Sequence, residues 1–179
     1  MLRHIRHRLN NAQSSNATFS PAEATLTAAQ DARRKFQQQD AQFDVHVDPK
    51  TKDTLVSGDP LSWSHITTIL ITNALEACQG LPNSHIKVHL TTDDDSLLLS
   101  VTDNGEGIPP SQRKTVFEPR QSSKPNGMGM GLYITKHIIG TQFNGTIRYA
   151  YTNPDRSEAT SIAAGSRFTV AIPLSQGVA

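Results

Sequence analysis

Asp103-Asn104-Gly105-Glu106-Gly107-Ile108-Pro109 is followed about twenty residues later by Gly127-Met128-Gly129-Met130-Gly131-Leu132. An acidic side chain set among glycines where a strand ends can meet the edge of a base, and a glycine run that opens a helix can meet phosphates. Together the two loops read as a nucleotide site. Either loop alone would read as an ordinary turn or a flexible link.

These loops need a scaffold, and 179 residues predict one domain with a core of useful size. Hydrophobic residues make up 36%, charged residues 18% and the net charge is +1, a polar globular balance that nominates neither nucleic acid nor membrane as a partner. With one cysteine, Cys78, no internal disulfide is possible, which fits a reducing compartment such as the cytoplasm. The apolar runs are far shorter than a membrane span, and no signal peptide is visible. Direct membrane contact by this chain is therefore not expected.

Asn10 to Ser20 reads as a linker or a loosely held helix, and Pro21 to Gln39 as a surface helix with Leu26, Ala29 and Phe36 as its sparse apolar positions. Phe43, Val45 and Val47 alternate with polar residues as a half-buried strand, and Thr54-Leu55-Val56 reads as a second. A helix from Pro60 or Leu61 to Gln79 places Ile66, Ile69 or Leu70, Asn73, Ala74 and Ala77 on one side. Ile86 to Leu90 and Leu97 to Val101 form a hairpin whose second strand delivers Asp103 at its end. A short helix from Pro110 to Val116 follows, then an irregular stretch from Phe117 to Asn126 that reads as a lid between the ligand loops, and a helix from Met130 to Ile139. Ile147 to Tyr151 and Arg167 to Ile172 are the last strands. Hairpins separated by helices predict an α+β fold, a two-layer α/β sandwich with a mixed, mostly antiparallel sheet and helices on one face.

In this order, Asn73-Ala74, Asp103 to Ile108, Val116-Phe117-Glu118-Pro119, Gly127 to Leu132 and Gly165-Ser166-Arg167-Phe168 resemble the motifs of the gyrase, Hsp90, histidine kinase and MutL ATPase superfamily. The resemblance covers roughly Ala22 to Leu174 and is nearest to histidine kinase catalytic domains. It implies the Bergerat form of the sandwich and two parts, a linker or remnant of a dimerisation and phosphoacceptor region over 1–21 and an ATP-binding catalytic domain over 22–179.

The resemblance also implies ATP and Mg2+ as cofactors, with Asn73 as the metal ligand and a catalytic residue. Asp103 would accept the adenine amine and repel guanine's carbonyl. Gly105, Gly107 and Ile108 would approach the base, Gly127, Gly129, Gly131 and Leu132 would cradle the phosphates, and Phe117 and Ser166 match further nucleotide-contact positions. Lys124, with Arg120 and Arg113 as weaker candidates, would add positive charge at the phosphates, Lys124 as a second catalytic residue.

Hydrolytic relatives carry a water-activating glutamate, and many kinases a second asparagine, where this chain has Ile69. The implied reaction is therefore transfer of the γ-phosphoryl group to a histidine outside this chain. His4 and His7 resemble a phosphoacceptor segment only faintly, because Arg8 stands where an acid is usual and too few residues precede Asn73 for a full hairpin. Implied partners are a phosphoacceptor hairpin in the same full-length homodimer and a response regulator, with this domain monomeric. The alternatives are an ATP hydrolase of the superfamily, an anti-sigma-type serine kinase, and a nucleotide-responsive binding module without transfer.

Overall fold

A computed structural model of the chain describes residues 18–35, 41–93, 95–119, 129–152 and 165–174. The elements run β1 (Thr18–Phe19), α1 (Pro21–Lys35), β2 (Ala41–Val47), β3 (Val56–Ser57), α2 (Pro60–Ala77), β4 (Ser84–Thr92), β5 (Ser96–Asp103), α3 (Pro110–Arg113), α4 (Gly131–Gln142), β6 (Thr146–Thr152) and β7 (Gly165–Pro173).

The main sheet has five strands in the order β2-β4-β5-β7-β6. Only β2 and β4 run parallel; the other pairs are antiparallel. Period-two alternation decides which face is covered: Ile86, Val88 and Leu90 of β4, Leu97, Leu99 and Val101 of β5 and Phe168, Val170 and Ile172 of β7 are buried against the helices. Lys87, His89, Ser100, Thr102, Arg167 and Thr169 occupy the opposite face. This is the two-layer sandwich that the hairpin pattern predicts.

Helix α2 is the spine of the helical layer. Pro60 is pre-set for a first helical turn, and the Asp59 carboxylate accepts from the amides of Leu61 at 3.2 Å and Ser62 at 3.1 Å, so the start is sharply capped. Trp63, Ile66, Thr67, Leu70, Ile71, Ala74 and Leu75 form its buried stripe. Each large apolar side chain buried there contributes about 1.5–3 kcal/mol. The stripe is rotated from the sequence expectation: Ile69, Asn73 and Ala77 are half-buried along its border, not in its centre.

Helix α1 packs on α2 through small residues, Ala22, Thr25, Ala28, Ala29 and Ala32, which allow close approach. Leu26, one of the sparse apolar positions of the expected surface helix, is 41% exposed, and the alanine stripe makes the packing face. The buried indole of Trp63 donates to Thr25 Oγ1 at 2.9 Å and ties the two helices. Two further differences concern the first strands. Thr18–Phe19, read as linker, pairs with Val56–Ser57, and Phe19 enters the core against Trp63 and Phe143. The expected Thr54 to Val56 strand is shifted accordingly, with Leu55 exposed.

Candidate nucleotide-binding site

The antiparallel register of β5 and β7 puts Asp103, the last residue of β5, opposite Ser166 near the start of β7, with Ile86 of β4 on its other side. Asp103 is buried. Its Oδ1 accepts from the Gly105 amide at 2.9 Å and the Ser166 amide at 3.2 Å. Among the described residues both bonds fall on this one oxygen, so Oδ2 is the acceptor left for a ligand. Burial raises the Asp103 pKa above its ordinary 3.8, and the two amides pull it back only partly.

The glycines around Asp103 are dictated by contact. A Cβ on Gly105 would stand 2.6 Å from the Ala77 carbonyl oxygen and 2.9 Å from the Ala77 Cβ, because the loop is laid directly on the end of α2. The amide of Glu106 donates to that same carbonyl at 3.4 Å. Gly107 has φ 70°, a left-handed conformation that glycine adopts without strain. On β7, a Cβ at Gly165 would run into the Asp103 carbonyl.

Asn104 is the residue whose part the sequence did not disclose. Its side-chain oxygen accepts from the His85 amide at 2.7 Å, its nitrogen donates to the Asn83 carbonyl at 2.9 Å, and the Cys78 thiol lies 3.7 Å from the same oxygen. It pins the loop after Asp103 to the start of β4 and the end of α2. The one available signal was Asn-Gly, which reads equally well as a surface turn.

The second loop enters α4 through Gly129, at φ 65°, and Met130, and no side chain of the described residues caps the helix. The first-turn amides of α4 are thus left for an anion, in contrast to the Asp59-capped start of α2. A Cβ built on Gly131 would stand 3.3 Å from Ile69 Cγ2, so Ile69 lies directly under this turn. Asn73, one helical turn further along α2, has a fully enclosed side-chain nitrogen with no hydrogen-bond partner among the described residues. Thr135 and Tyr149 also enclose a hydroxyl without a partner, but of the three only Asn73 offers the amide oxygen that hard cations take. An enclosed polar atom left unpaired costs about 1–3 kcal/mol. The unpaired atom is a donor and calls for an acceptor such as a phosphate oxygen, while the carbonyl oxygen of the same amide is the atom a magnesium ion would take.

Other candidates fall differently. Phe117 packs edge-on against Phe168, centroids 6.1 Å apart, with Lys136 Nζ 5.9 Å from its ring, so it is anchored in the layer beneath the site. Ile108 and Leu132 are partly buried against the core. Arg113 is not free to reach for phosphate: its guanidinium is held by Ile108 and Tyr151. The expected helix from Pro110 to Val116 stops at Arg113. Lys124, Gly127, Arg120, His4 and His7 lie outside the described residues.

A two-layer sandwich that buries a carboxylate against two backbone amides at the end of its central strand, with a glycine-opened helix in the other layer, is the arrangement of a class of nucleotide-binding ATPase domains. Comparison with known proteins gives the same class. Residues 58–176 match the family described as histidine kinase-, DNA gyrase B- and HSP90-like ATPases. The chain belongs to this family. It is 34% identical over 90 residues to the C4-dicarboxylate transport sensor protein DctB of Rhizobium meliloti, covering 50% of this chain and 14% of that protein. It is 32% identical over 108 residues to sporulation kinase B of Bacillus subtilis, covering 59% of this chain and 24% of that one. The chain thus spans under a quarter of the length of either relative. Among solved structures, the mycobacterial sensor histidine kinase MprB superposes with a TM-score of 0.72 at 26% identity, covering 88% of this chain and 97% of that one. The catalytic domain of histidine kinase ThkA shares the fold, with a TM-score of 0.72 over 88% of this chain and 95% of that one at 24% identity. The resemblance drawn from the motifs is borne out.

Proposed function

We propose that this chain binds magnesium and ATP and transfers the γ-phosphoryl group to a histidine carried on a hairpin elsewhere in the same full-length sensor kinase. The observation that carries the reading is Asp103, buried, held through one oxygen by Gly105 and Ser166, with its other oxygen left to accept an amine. A carboxylate kept in such a place costs stability, and an adenine amine is a donor that would offset it.

In this reading Ile108 and the Gly105–Gly107 backbone flank the base, and Ser166 holds Asp103 in place. The amides at the start of α4 donate to phosphate oxygens, joined by Gly127 and Lys124. Asn73 would hold the magnesium ion through its carbonyl oxygen, and the ion would supply charge neutralisation for the phosphates. The acceptor histidine nitrogen forms a bond to the γ-phosphorus as the bond to the bridging oxygen breaks, and ADP leaves with that electron pair. Ile69 gives this chain a methyl group under the phosphate turn in the place where a hydrolytic relative would need a base.

The response regulator, the homodimeric full-length protein, a monomeric isolated domain and a cytoplasmic location complete the proposal. No helix of the described residues is long and apolar enough to cross a membrane. The test is incubation with γ-labelled ATP, magnesium and the histidine-bearing hairpin of the full-length protein. Acid-labile label on the hairpin, with little phosphate released by this chain alone, is expected. Brisk phosphate release by the chain without any hairpin would refute transfer in favour of hydrolysis. ATP binding without label would leave a binding module.

A further inference from the structure

Arg113 closes a ring of contacts around the base end of the site. Its Nε donates to the Ile108 carbonyl at 2.8 Å, and its guanidinium carbon stands 4.2 Å from the centroid of the Tyr151 ring. Tyr151, on edge strand β6, pairs in register with Ser166 of β7. The Ser166 amide donates to Asp103 Oδ1, and Asp103 Oδ1 also accepts from Gly105, from which the chain runs on to Ile108. Asp103, Ser166, Tyr151, Arg113, Ile108 and Gly105 therefore form a closed circuit.

We propose that Arg113 is a positioning residue that fixes Ile108 as a wall of the adenine pocket by clamping the loop after Asp103 to Tyr151, and that it does not act on phosphate. Both of its partners belong to the base end: Ile108 follows the Asp103 glycines and Tyr151 faces Ser166, whereas the uncapped amides are on α4. An Nε committed to a backbone carbonyl, with the guanidinium over a phenol ring, uses the fork geometry that lysine lacks. The inference rests on the nucleotide reading of the site.

Calorimetric titration of the chain with adenosine, ADP and a non-hydrolysable ATP analogue, each with magnesium, tests it. Arg113→Lys and Arg113→Met should each weaken ADP and ATP-analogue binding by the same factor, about ten-fold, since a charged hydrogen bond and a stacked cation are lost together. Tyr151→Phe should bind as wild type, Tyr151→Ala should match Arg113→Met, and the double variant should be no worse than either single one. Melting temperatures should stay within about 2 °C, as both residues are on the periphery. A loss that grows with the number of phosphates and is rescued by Arg113→Lys would show a phosphate cation and overturn the clamp. Unchanged binding in every variant would overturn it also. A wild-type chain that binds no adenine nucleotide would instead overturn the reading of the site, and the clamp with it.

Discussion

Replacing Asp103 by asparagine should weaken nucleotide binding strongly and yet stabilise the nucleotide-free chain. The first effect follows from the free carboxylate oxygen: a hydrogen bond to a charged acceptor contributes about 1.5–3 kcal/mol, so the ADP dissociation constant should rise roughly 10- to 150-fold. The second follows from the raised pKa. Burial pushes the carboxyl above 3.8 more than the Gly105 and Ser166 amides pull it down, so the folded chain prefers the neutral acid more than water does. The stability gained by holding that proton is fully present below 3.8 and is lost as pH rises through the higher folded-state pKa. At neutral pH the ionised group is therefore a burden. Asparagine keeps an oxygen for both amides without the charge, and the gain should be about 1 kcal/mol, or roughly 2–4 °C in melting temperature. Thermal melts followed by the fluorescence of Trp63, the chain's single tryptophan, measure stability, and calorimetric titration measures binding. As pH falls from neutral towards 3.8, the stability advantage of the variant should shrink while wild-type binding weakens, because the acceptor is being protonated. A variant that melts below wild type at neutral pH, or that binds ADP normally, would refute the reasoning.

Gly105→Ala must push a methyl into the Ala77 backbone, 2.6 Å from its oxygen, and should lower stability by about 1–3 kcal/mol and nucleotide affinity with it. An unshifted urea midpoint would mean that this loop is not seated on α2. Asn104→Ala strands the His85 amide and the Asn83 carbonyl, and a loss of about 2–3 kcal/mol in urea unfolding is expected. A change below about 0.5 kcal/mol would show that water replaces the carboxamide freely. The Cys78 thiol is pushed up to about 11, first by burial and then by the Asp103 charge, so a disulfide reagent at pH 8 should react with it only in denaturant. Reaction of the native chain at the rate of a free thiol would contradict its burial.

Much of the scaffold was legible because its signals are local. Alternation in β4, β5 and β7 marked the strands, and Pro60 marked the start of α2. What was missed depends on contacts between distant segments. Thr18–Phe19 is too short to carry a period and becomes a strand only because Val56–Ser57 lies beside it. Leu26 has the composition of a core residue, yet the packing face of α1 is made of alanines that let the helices come close. Asn73 and Ile69 were found by motif order, but their place on the border of the α2 stripe follows from Trp63 and Leu70 taking the centre. Arg113, a plausible phosphate cation by position, has its guanidinium drawn to Tyr151, thirty-eight residues further along. No spacing rule could indicate that pairing.

The same side chains bear on what the site can do with a γ-phosphate. Among the described residues Asp103 leaves an acceptor oxygen and Asn73 a donor nitrogen without a protein partner, which favours a ligand that brings a donor to the one and an acceptor oxygen to the other. Binding alone, however, treats ground state and transition state alike and does not choose between water and another acceptor. In the proposed site the choice depends on what stands beside the turn that opens α4, and Ile69, packed under Gly131, offers a methyl that neither abstracts a proton nor orients water. A nucleophile brought in by a second element needs no base from this chain if it is already a neutral imidazole, since its ring nitrogen carries the lone pair that attacks. In the proposed reaction the apolar floor would slow the loss of phosphate to water without hindering transfer, which would depend on the approach of the acceptor rather than on chemistry within the domain.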